Sequence, residues 1–428
     1  MSAHAWAAVA VFVAAYVLIA SERIHRVAAA LGGAAAMILI GATDSDAAFF
    51  SQESGVDWNV IFLLLGMMII VGVLRQTGLF EFLAIWAAKR GKGHPFRVMA
   101  LLVLITAVAS AALDNVTTVL LVAPVTLLVC ERLDTPPVPF LIAEIMASNI
   151  GGTATLIGDP PNIIIASRAD LTFNDFLVHL TPIVVLLTGV LVVLCRLLFG
   201  RKLAYDPERA RLVMALEERE AIHDPQLLRR SLAVLVLVLI GFVLHSSIHL
   251  EPAAVALLGA GLAVLVSQMS PEHYLAEVEW ETLVFFMGLF VMVGGLVEIG
   301  VIEELGKVVI DGVGDRYLVA ATVLLFGSAL LSGIVDNIPF VTTMTPLVAG
   351  LVDAGGPQAH SLWWALALGA DLGGNATAVG ASANVVVLGI ARRSGYPISF
   401  WEFTKYGIVV TTVTVSLCWP YLWLRYFM

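Results

Sequence analysis

The sequence repeats itself, without a gap, at an offset of 222 residues. The stretch 111–162 reads AALDNVTTVLLVAPVTLLV, a polar turn and AEIMASNIGGTATLIGDPPN, and it recurs as 333–384. The match extends upstream to Gly66 and Gly288 and so covers about a hundred residues, which chance rarely produces. The chain is therefore predicted to contain two homologous halves. Matched pairs include Asp114 with Asp336, Asn115 with Asn337, Pro124 with Pro346, Gly151 with Gly373, Thr155 with Thr377, and Asn162 with Asn384.

The composition is that of a membrane protein. Hydrophobic residues make up 60% of the chain and the mean hydropathy is +0.95, well outside the range of soluble domains. Apolar runs of about 17 to 25 residues recur, and this length suits the hydrocarbon core of a bilayer. The first run follows no basic segment and precedes no clear cleavage site. We therefore expect a retained first helix rather than a signal peptide.

Polar breaks inside apolar segments predict hairpins and discontinuous helices. The segment 97–130 is interrupted at Asp114 and its neighbours. As one helix it would measure about 50 Å, against about 30 Å for a bilayer core. We predict instead a re-entrant hairpin with two short arms, which survives only where protein or a water-filled cavity covers it. The segment 138–168 begins as a helix and then meets GGTATLIGDPPN, whose glycines and paired prolines should break it.

The remaining helices follow the same plan in both halves. A second hairpin is expected over 318–352 and a second broken helix over 362–391. In the polar stretch between the halves, Asp206 before Pro207 predicts a capped surface helix. The continuous helices are predicted over about 4–20, 26–42, 58–77, 175–198, 231–248, 253–268, 282–300 and 403–424.

The expected fold is an all-α polytopic membrane protein built from two inverted-topology repeats. Each repeat has five crossings, one of them a discontinuous helix, and one re-entrant hairpin. The first repeat covers 1–200, a cytoplasmic linker covers 201–230, and the second repeat covers 231–428. With both termini outside the plasma (inner) membrane, basic segments such as 89–97 and the linker fall on the cytoplasmic side, as the positive-inside rule requires.

Polar side chains at membrane depth form the candidate site, because their cost in a bilayer indicates function. Helix N-termini at the tips and breaks present N–H groups to polar solutes, and exposed carbonyls face cations. The alternative is that these residues only cap half-helices. The predicted substrate-binding residues are Asn115, Thr117, Thr118, Thr153, Thr155, Asn162, Asn337, Asn375, Thr377 and Asn384. The predicted carriers of proton or cation coupling are Asp114 and Asp336, assisted by Asp159 and Asp371, with Glu144 as a third site.

The two halves differ at positions that bear on the chemistry. Asn149 of the first half corresponds to Asp371, whereas Asp159 corresponds to Ala381. Each half thus keeps two carboxylates in unequal places, and such groups can carry a proton or bind sodium when charged. Glu144 pairs with Leu366. It is either a further proton carrier or a residue that lies at a helix end in water.

Missing motifs narrow the functional class. The sequence has no G-x-x-x-x-G-K-[ST] phosphate loop and no H-E-x-x-H, so neither an ATP-driven pump nor a metalloprotease is supported. The three cysteines have no paired spacing. We expect no enzyme activity, cofactor, bound metal or nucleic-acid partner, and a soluble ATPase partner cannot be read from this chain. A channel is the rival class, but inverted repeats with broken helices favour alternating access by a secondary transporter.

The motifs resemble one known superfamily. DNVTTVLLVAPVT, SNIGGTATLIGDPPNIII, VDNIPFVTTMTPLV and LGGNATAVGASANVV are similar to the P-protein and ArsB branch of the ion transporter superfamily. The pattern G-T-x-x-x-I-G-x-P-P-N is also similar to that of sodium–dicarboxylate cotransporters. The resemblance covers almost the whole chain. It implies a scaffold domain and a transport domain with two hairpins, assembly as a homodimer, and arsenite efflux coupled to protons. The acidic tips are closer to the P protein than to enteric arsenite permeases.

The predicted activity is proton-coupled efflux of arsenite or antimonite, with sodium/proton antiport or small-anion transport of the P-protein type as the alternative. Arsenite near neutral pH is mostly uncharged As(OH)3, which thiolates or hydrogen bonds can hold. Thiolates suit soft ions, but Cys130, Cys195 and Cys418 lie on separate predicted helices outside the repeated motifs. A citrate-like dicarboxylate is disfavoured, because two acidic tips repel it and no arginine is expected near them.

Overall fold

The computed structural model describes residues 2–21, 23–51, 53–215, 217–314 and 316–428. Within these ranges the chain consists of α-helices, short 3-10 turns and connecting loops, without a β-strand. Seven of the described helices are long and apolar enough to cross a bilayer by length and composition. Five further apolar helices are shorter. The predicted all-α membrane architecture is therefore confirmed.

The helices of the first half are α1 (Ala3–Ser21), α2 (Arg26–Leu39), α3 (Ser45–Phe50), α4 (Trp58–Arg75), α5 (Leu79–Arg90), α6 (Pro95–Ala112), α7 (Asn115–Leu133), α8 (Val138–Gly152), α9 (Pro160–Ala169), α10 (Phe173–His179) and α11 (Thr181–Phe199). The linker contains α12 (Pro207–Met214). The helices of the second half are α13 (Pro225–Ile248), α14 (Pro252–Ser267), α15 (Pro271–Ala276), α16 (Trp280–Glu298), α17 (Val301–Val313), α18 (Tyr317–Ser332), α19 (Asn337–Asp353), α20 (Ser361–Gly373), α21 (Ser382–Arg393) and α22 (Phe400–Tyr426).

Most predicted helices are confirmed, and two features differ. The helix expected over 175–198 is two helices, because the chain turns at Leu180 and Pro182 opens α11, where its missing N–H breaks no helical bond. The discontinuous helix predicted over 138–168 is present as α8 and α9, and the prolines at 160 and 161 open α9. The short helices α3, α5, α15 and α17 were not predicted from the apolar runs, since none of them is an apolar segment long enough to span a bilayer.

Each hairpin consists of two helices separated by a tight polar tip. The arms of the first hairpin, α6 and α7, contain 18 and 19 residues, so the expectation of short arms was wrong. The tip nevertheless lies level with the break of the neighbouring helix, because the end of α6 packs beside the end of α8. A Cβ on Gly151 of α8 would lie 2.2 Å from the carbonyl oxygen of Ala107 in α6. Only glycine permits this close approach.

The same contacts recur in the two halves. The hydroxyl of Ser110 donates to the carbonyl oxygen of Ser148 at 2.7 Å, and that of Ser332 donates to Ala370 at 2.6 Å. Both residues of the second bond lie 222 positions after those of the first. The halves also interlock, since α4 packs on α14, α2 on α16, α7 on α21 and α9 on α19. The core between them is therefore built from both halves.

The linker lies against the base of the first hairpin and the helix before it. Its helix α12 begins as predicted, with the side chain of Asp206 accepting backbone hydrogen bonds. The ammonium group of Lys89 in α5 pairs with the carboxylate of Glu218. This hydrogen bond lowers the pKa of Glu218. The backbone N–H of His223 also donates to the carbonyl oxygen of Thr77 at 3.1 Å.

Candidate functional site

Each of the two helix breaks is stabilised by an asparagine, and the two asparagines occupy corresponding positions of the repeats. The amide nitrogen of Asn162 donates to the carbonyl oxygen of Thr155 at 3.0 Å, and that of Asn384 donates to Thr377 at 2.8 Å. Each amide also reaches the carbonyl of a glycine at the end of the preceding helix. The two threonine hydroxyls donate to carbonyl oxygens of their hairpins at 2.6 Å. These four predicted site residues therefore use their donors to fix the backbone, because buried carbonyl groups need partners.

A buried network of side-chain amides joins the halves where the breaks meet. Asn149 donates to the side-chain oxygens of Asn375 and Asn384, at 3.0 Å in both cases. Its own oxygen accepts from the amide of Asn115 at 3.3 Å. All four residues are buried. Asn149 was compared with Asp371 from the sequence but was not included in the predicted site, although its position in the repeat could have identified it.

Asp159 lies in the middle of this network. One carboxylate oxygen accepts from the amide of Asn115 at 2.9 Å, and the amide of Asn337 from the opposite hairpin lies 3.4 Å from the other. The side chain is fully buried. In the described part of the chain no ion pair includes Asp159 or Asp371. The two carboxylates are close enough for their charges to repel each other.

Asp371 is the least satisfied group of the site. Neither of its carboxylate oxygens accepts a hydrogen bond of good geometry from a described residue, although Thr153 and Asn162 lie beside it and the residue is fully buried. The neighbouring hydroxyl of Thr153 donates to the carbonyl oxygen of Asn149 at 2.9 Å instead. The side-chain oxygens of Asn115 and Asn162 also lack donors, and the amide nitrogen of Asn375 lacks an acceptor. A buried polar group without a partner costs about 1–3 kcal/mol, so these unpartnered atoms are the candidate contacts for a solute or an ion.

The hairpin tips carry the other two predicted coupling carboxylates, and both cap a helix. Asp114 accepts the backbone N–H of Thr117 at 2.8 Å and also the hydroxyl of that residue. Asp336 accepts the N–H of Ile338 at 3.1 Å. Thr118 is buried behind the first tip, and its hydroxyl has no partner among the described residues. The capping alternative therefore accounts for the local contacts of both aspartates.

An arginine reaches the second tip, which corrects the expectation that none lies near. Arg26 at the start of α2 donates to the hydroxyl oxygen of Ser382 at 2.9 Å, and Ser382 donates to the carboxylate of Asp336 at 2.7 Å. The same guanidinium pairs with Glu281 at 2.9 Å. Arg26 lies more than 300 residues from the tip in sequence, so no local pattern could have placed it there.

Glu279 is a further carboxylate that sequence reasoning missed. It precedes α16, is half-buried, and accepts the hydroxyl of Thr282 at 3.0 Å. Burial, together with repulsion from Asp114, raises the pKa of Glu279 to about 7. The repeat offset pairs it with Asp57, which caps α4 at the corresponding place. This pairing was the available signal.

Glu144 is not at a water-exposed helix end. It lies within α8, is 1% exposed, and accepts the hydroxyl of Thr126 at 2.5 Å, while its second oxygen has no partner among the described residues. A buried, half-satisfied carboxylate between the core and the start of α8 is suited to proton transfer. The three cysteines are buried and unpaired on α7, α11 and α22.

Comparison with known proteins gives three consistent findings. The family profile described as citrate transporter, CitMHS, matches residues 16–369. An uncharacterized transporter of Mycobacterium bovis is 59% identical over 422 residues, which is 98% of each chain. The human P protein is 34% identical over 495 residues, covering 96% of this chain and 59% of its own length. The resemblance to the P-protein branch inferred from the motifs is therefore confirmed.

A solved structure shows the same fold. The YdaH transporter of Alcanivorax borkumensis superposes with a TM-score of 0.59, at 16% identity, over 85% of this chain and 84% of its own. At this identity the likeness concerns the arrangement of helices and not the solute.

Proposed function

The chain belongs to the CitMHS citrate transporter family, and on this premise we propose that it is a secondary transporter that exchanges protons for a small monovalent cation such as Na⁺. One observation carries the proposal. The buried core presents the two unpartnered oxygens of Asp371, and side-chain oxygens of Asn115 and Asn162 also lack donors. Hard cations prefer oxygen ligands. A proton on the carboxylate or a cation among the oxygens would relieve the same unsatisfied groups, and this is the requirement for exchange.

We assign the proton–cation coupling to Asp159 and Asp371 rather than to the hairpin-tip carboxylates Asp114 and Asp336. The mutual repulsion of Asp159 and Asp371 makes the loading of one dependent on the state of the other. The sequence favoured Asp114 and Asp336, but these have helix-capping partners. Glu144 would pass protons between the core and the nearer membrane face. The exchange would follow alternating access between two inverted repeats, in the plasma membrane with both termini outside, and in a homodimer.

Citrate, the solute in the family's description, suits this core poorly. A polyanion needs cationic partners when it leaves water. Among the described residues, no basic side chain forms an ion pair with a carboxylate of the core. Arg26 does lie near the second tip, but Glu281 already pairs with it.

Arsenite efflux is the second candidate, and one observation favours it. The core contains an unpartnered donor, the amide nitrogen of Asn375, beside the unpartnered oxygens. Uncharged As(OH)3 both donates and accepts hydrogen bonds, so it would satisfy both kinds of group. Thiolate binding is not part of this candidate, because Cys130, Cys195 and Cys418 are buried on separate helices.

The deciding experiment is solute uptake into everted membrane vesicles under an imposed pH gradient. Radioactive Na⁺, arsenite and citrate are each tested, and proton movement is followed with a pH-sensitive dye. We expect Na⁺ accumulation with matching proton release. Arsenite accumulation that survives replacement of all three cysteines by serine would favour the second candidate. Citrate accumulation, or movement of no solute with protons, would contradict the proposal.

A further inference from the structure

We infer that Arg26 is a positioning residue that acts as a tethered counter-cation for the second hairpin tip, neutralising Asp336 until that carboxylate takes up a proton. This inference rests on the proposed exchange, because it assigns a state to the tip during the transport cycle. It concerns only one of the two hairpin tips. Arg26 itself is not placed in the exchange core.

A continuous chain of contacts connects Arg26 to the tip. Its Nη1 donates to Ser382 Oγ at 2.9 Å, and Ser382 Oγ donates to Asp336 Oδ2 at 2.7 Å. Its Nε donates to Glu281 Oε1 at 2.9 Å. The guanidinium carbon also lies 5.4 Å from the ring centre of Phe285. The side chain thus ties α2 and α16 to the tip of the second hairpin and to the start of α21.

Among the described residues, the first hairpin tip has no such arrangement. The repeat offset pairs Ser382 with Pro160 and Arg26 with Ile248, and neither of these can supply the hydroxyl or the charge. Asp114 instead takes both the backbone N–H and the hydroxyl of Thr117. Helix capping alone therefore holds the carboxylate of the first tip. The presence of an arginine at the second tip is not explained by capping.

The hydrogen bond between Arg26 and Ser382 is accessible to water and can be broken. Arg26 lines a cleft of about 360 Å³ that also reaches Asp336 and Ser382, and its side chain is 32% exposed. Water in the cleft can replace the bond to Ser382 while the pair with Glu281 persists. A proton on Asp336 removes the negative charge that holds the guanidinium there, so protonation and release of the tip are linked.

Other ionisable groups also act on this carboxylate. The hydroxyl of Tyr16 donates to the carbonyl oxygen of Pro339 just after the tip. Asp159 repels Asp336 from the core side. His25 lies 3.7 Å from Glu281 and lines the same cleft. A test must therefore separate the arginine from these neighbours.

The test that does not depend on transport is a double-mutant cycle. Arg26→Gln, Asp336→Asn and the double variant are purified, and their thermal unfolding midpoints are measured. If the two charges interact, the decreases in unfolding midpoint of the two single variants do not add. Asp336→Asn then lowers the midpoint less when glutamine already replaces Arg26. Arg75→Gln is the matched control, since Arg75 forms a comparable pair at 2.6 Å with Glu277, which shortly precedes α16. Additive shifts would overturn the inference.

The second measurement is the pH dependence of exchange in reconstituted vesicles. Loss of an opposite charge near a carboxylate moves its titration by about one pH unit or more. Because exchange requires release of the tip as well as loading of Asp159 and Asp371, we expect the pH of half-maximal exchange to move upward by about one unit in Arg26→Gln. Arg26→Lys and the control Arg75→Gln should retain the original profile. An unchanged profile in Arg26→Gln contradicts the inference. A wild-type protein that moves no solute contradicts the proposed exchange instead, and the double-mutant cycle still tests the arginine.

Discussion

Replacing Asp371 by asparagine should abolish exchange and at the same time stabilise the protein. Asp371 is fully buried beside Thr153 and Asn162, and neither carboxylate oxygen accepts a hydrogen bond of good geometry from a described residue. Asparagine has nearly the same shape, and the first half has Asn149 at the corresponding position. The amide cannot carry a proton, so the coupling that we place on this residue is lost.

The magnitude follows from the unsatisfied groups. Each buried polar atom without a partner costs about 1–3 kcal/mol, and more when it is charged. Asp371→Asn removes one such oxygen and supplies a donor near Asn162, whose side-chain oxygen has no partner. One new hydrogen bond contributes about 1 kcal/mol. The expected gain is therefore about 1–3 kcal/mol, which raises the unfolding midpoint by a few degrees.

The assay combines thermal unfolding in detergent with proton flux in reconstituted vesicles. The stabilisation should be larger at higher pH, because the charged carboxylate has the greater cost of burial. A structural residue would show the opposite combination, with lower stability and with activity lost in proportion. An Asp371→Asn protein that melts several degrees below wild type, or that still exchanges protons, would refute the reasoning.

Three further outcomes are expected. Asn384→Ala should destabilise by about 2–4 kcal/mol, because two carbonyls at the helix break lose their donor; equal melting of variant and wild type contradicts this. Gly151→Ala should prevent correct packing, since its Cβ would lie 2.2 Å from the carbonyl oxygen of Ala107, whereas Gly189→Ala meets nothing within 4 Å and serves as the control in size-exclusion profiles. Because the folded pKa of Glu279 is raised from 4.5 to about 7, stability should fall as pH rises through this window, and Glu279→Gln should abolish that part of the pH dependence of melting.

The helical plan was predictable from the sequence because bilayer dimensions and proline chemistry are local constraints. The apolar runs gave the spans, and the motif GGTATLIGDPPN gave the break between α8 and α9. Short helices such as α5 escaped prediction, since a helix that does not cross the bilayer has no length requirement. The duplication also showed which polar residues occupy corresponding places, and one such pair, Asn115 and Asn337, meets at Asp159.

The individual roles of the site residues could not be predicted from the sequence. From the sequence, Asn162 and Asn115 are equally good candidates for substrate binding. In the structure, Asn162 stabilises a helix break, whereas Asn115 contacts Asp159. This difference depends on which carbonyls lose their helical partners in three dimensions. The approach of Arg26 to Asp336 is also a tertiary contact. Neither distance along the chain nor periodicity carries information about such contacts.

The most direct test of the account is proton movement driven by a sodium gradient across vesicles that contain only the purified protein. A pH-sensitive dye inside the vesicles reports the movement. We predict that an outward-directed Na⁺ gradient acidifies the interior of vesicles carrying the wild type. The double variant Asp159→Asn and Asp371→Asn, which is expected to remain folded, should give no signal. Sodium-driven proton movement of normal size in the double variant would contradict the central claim.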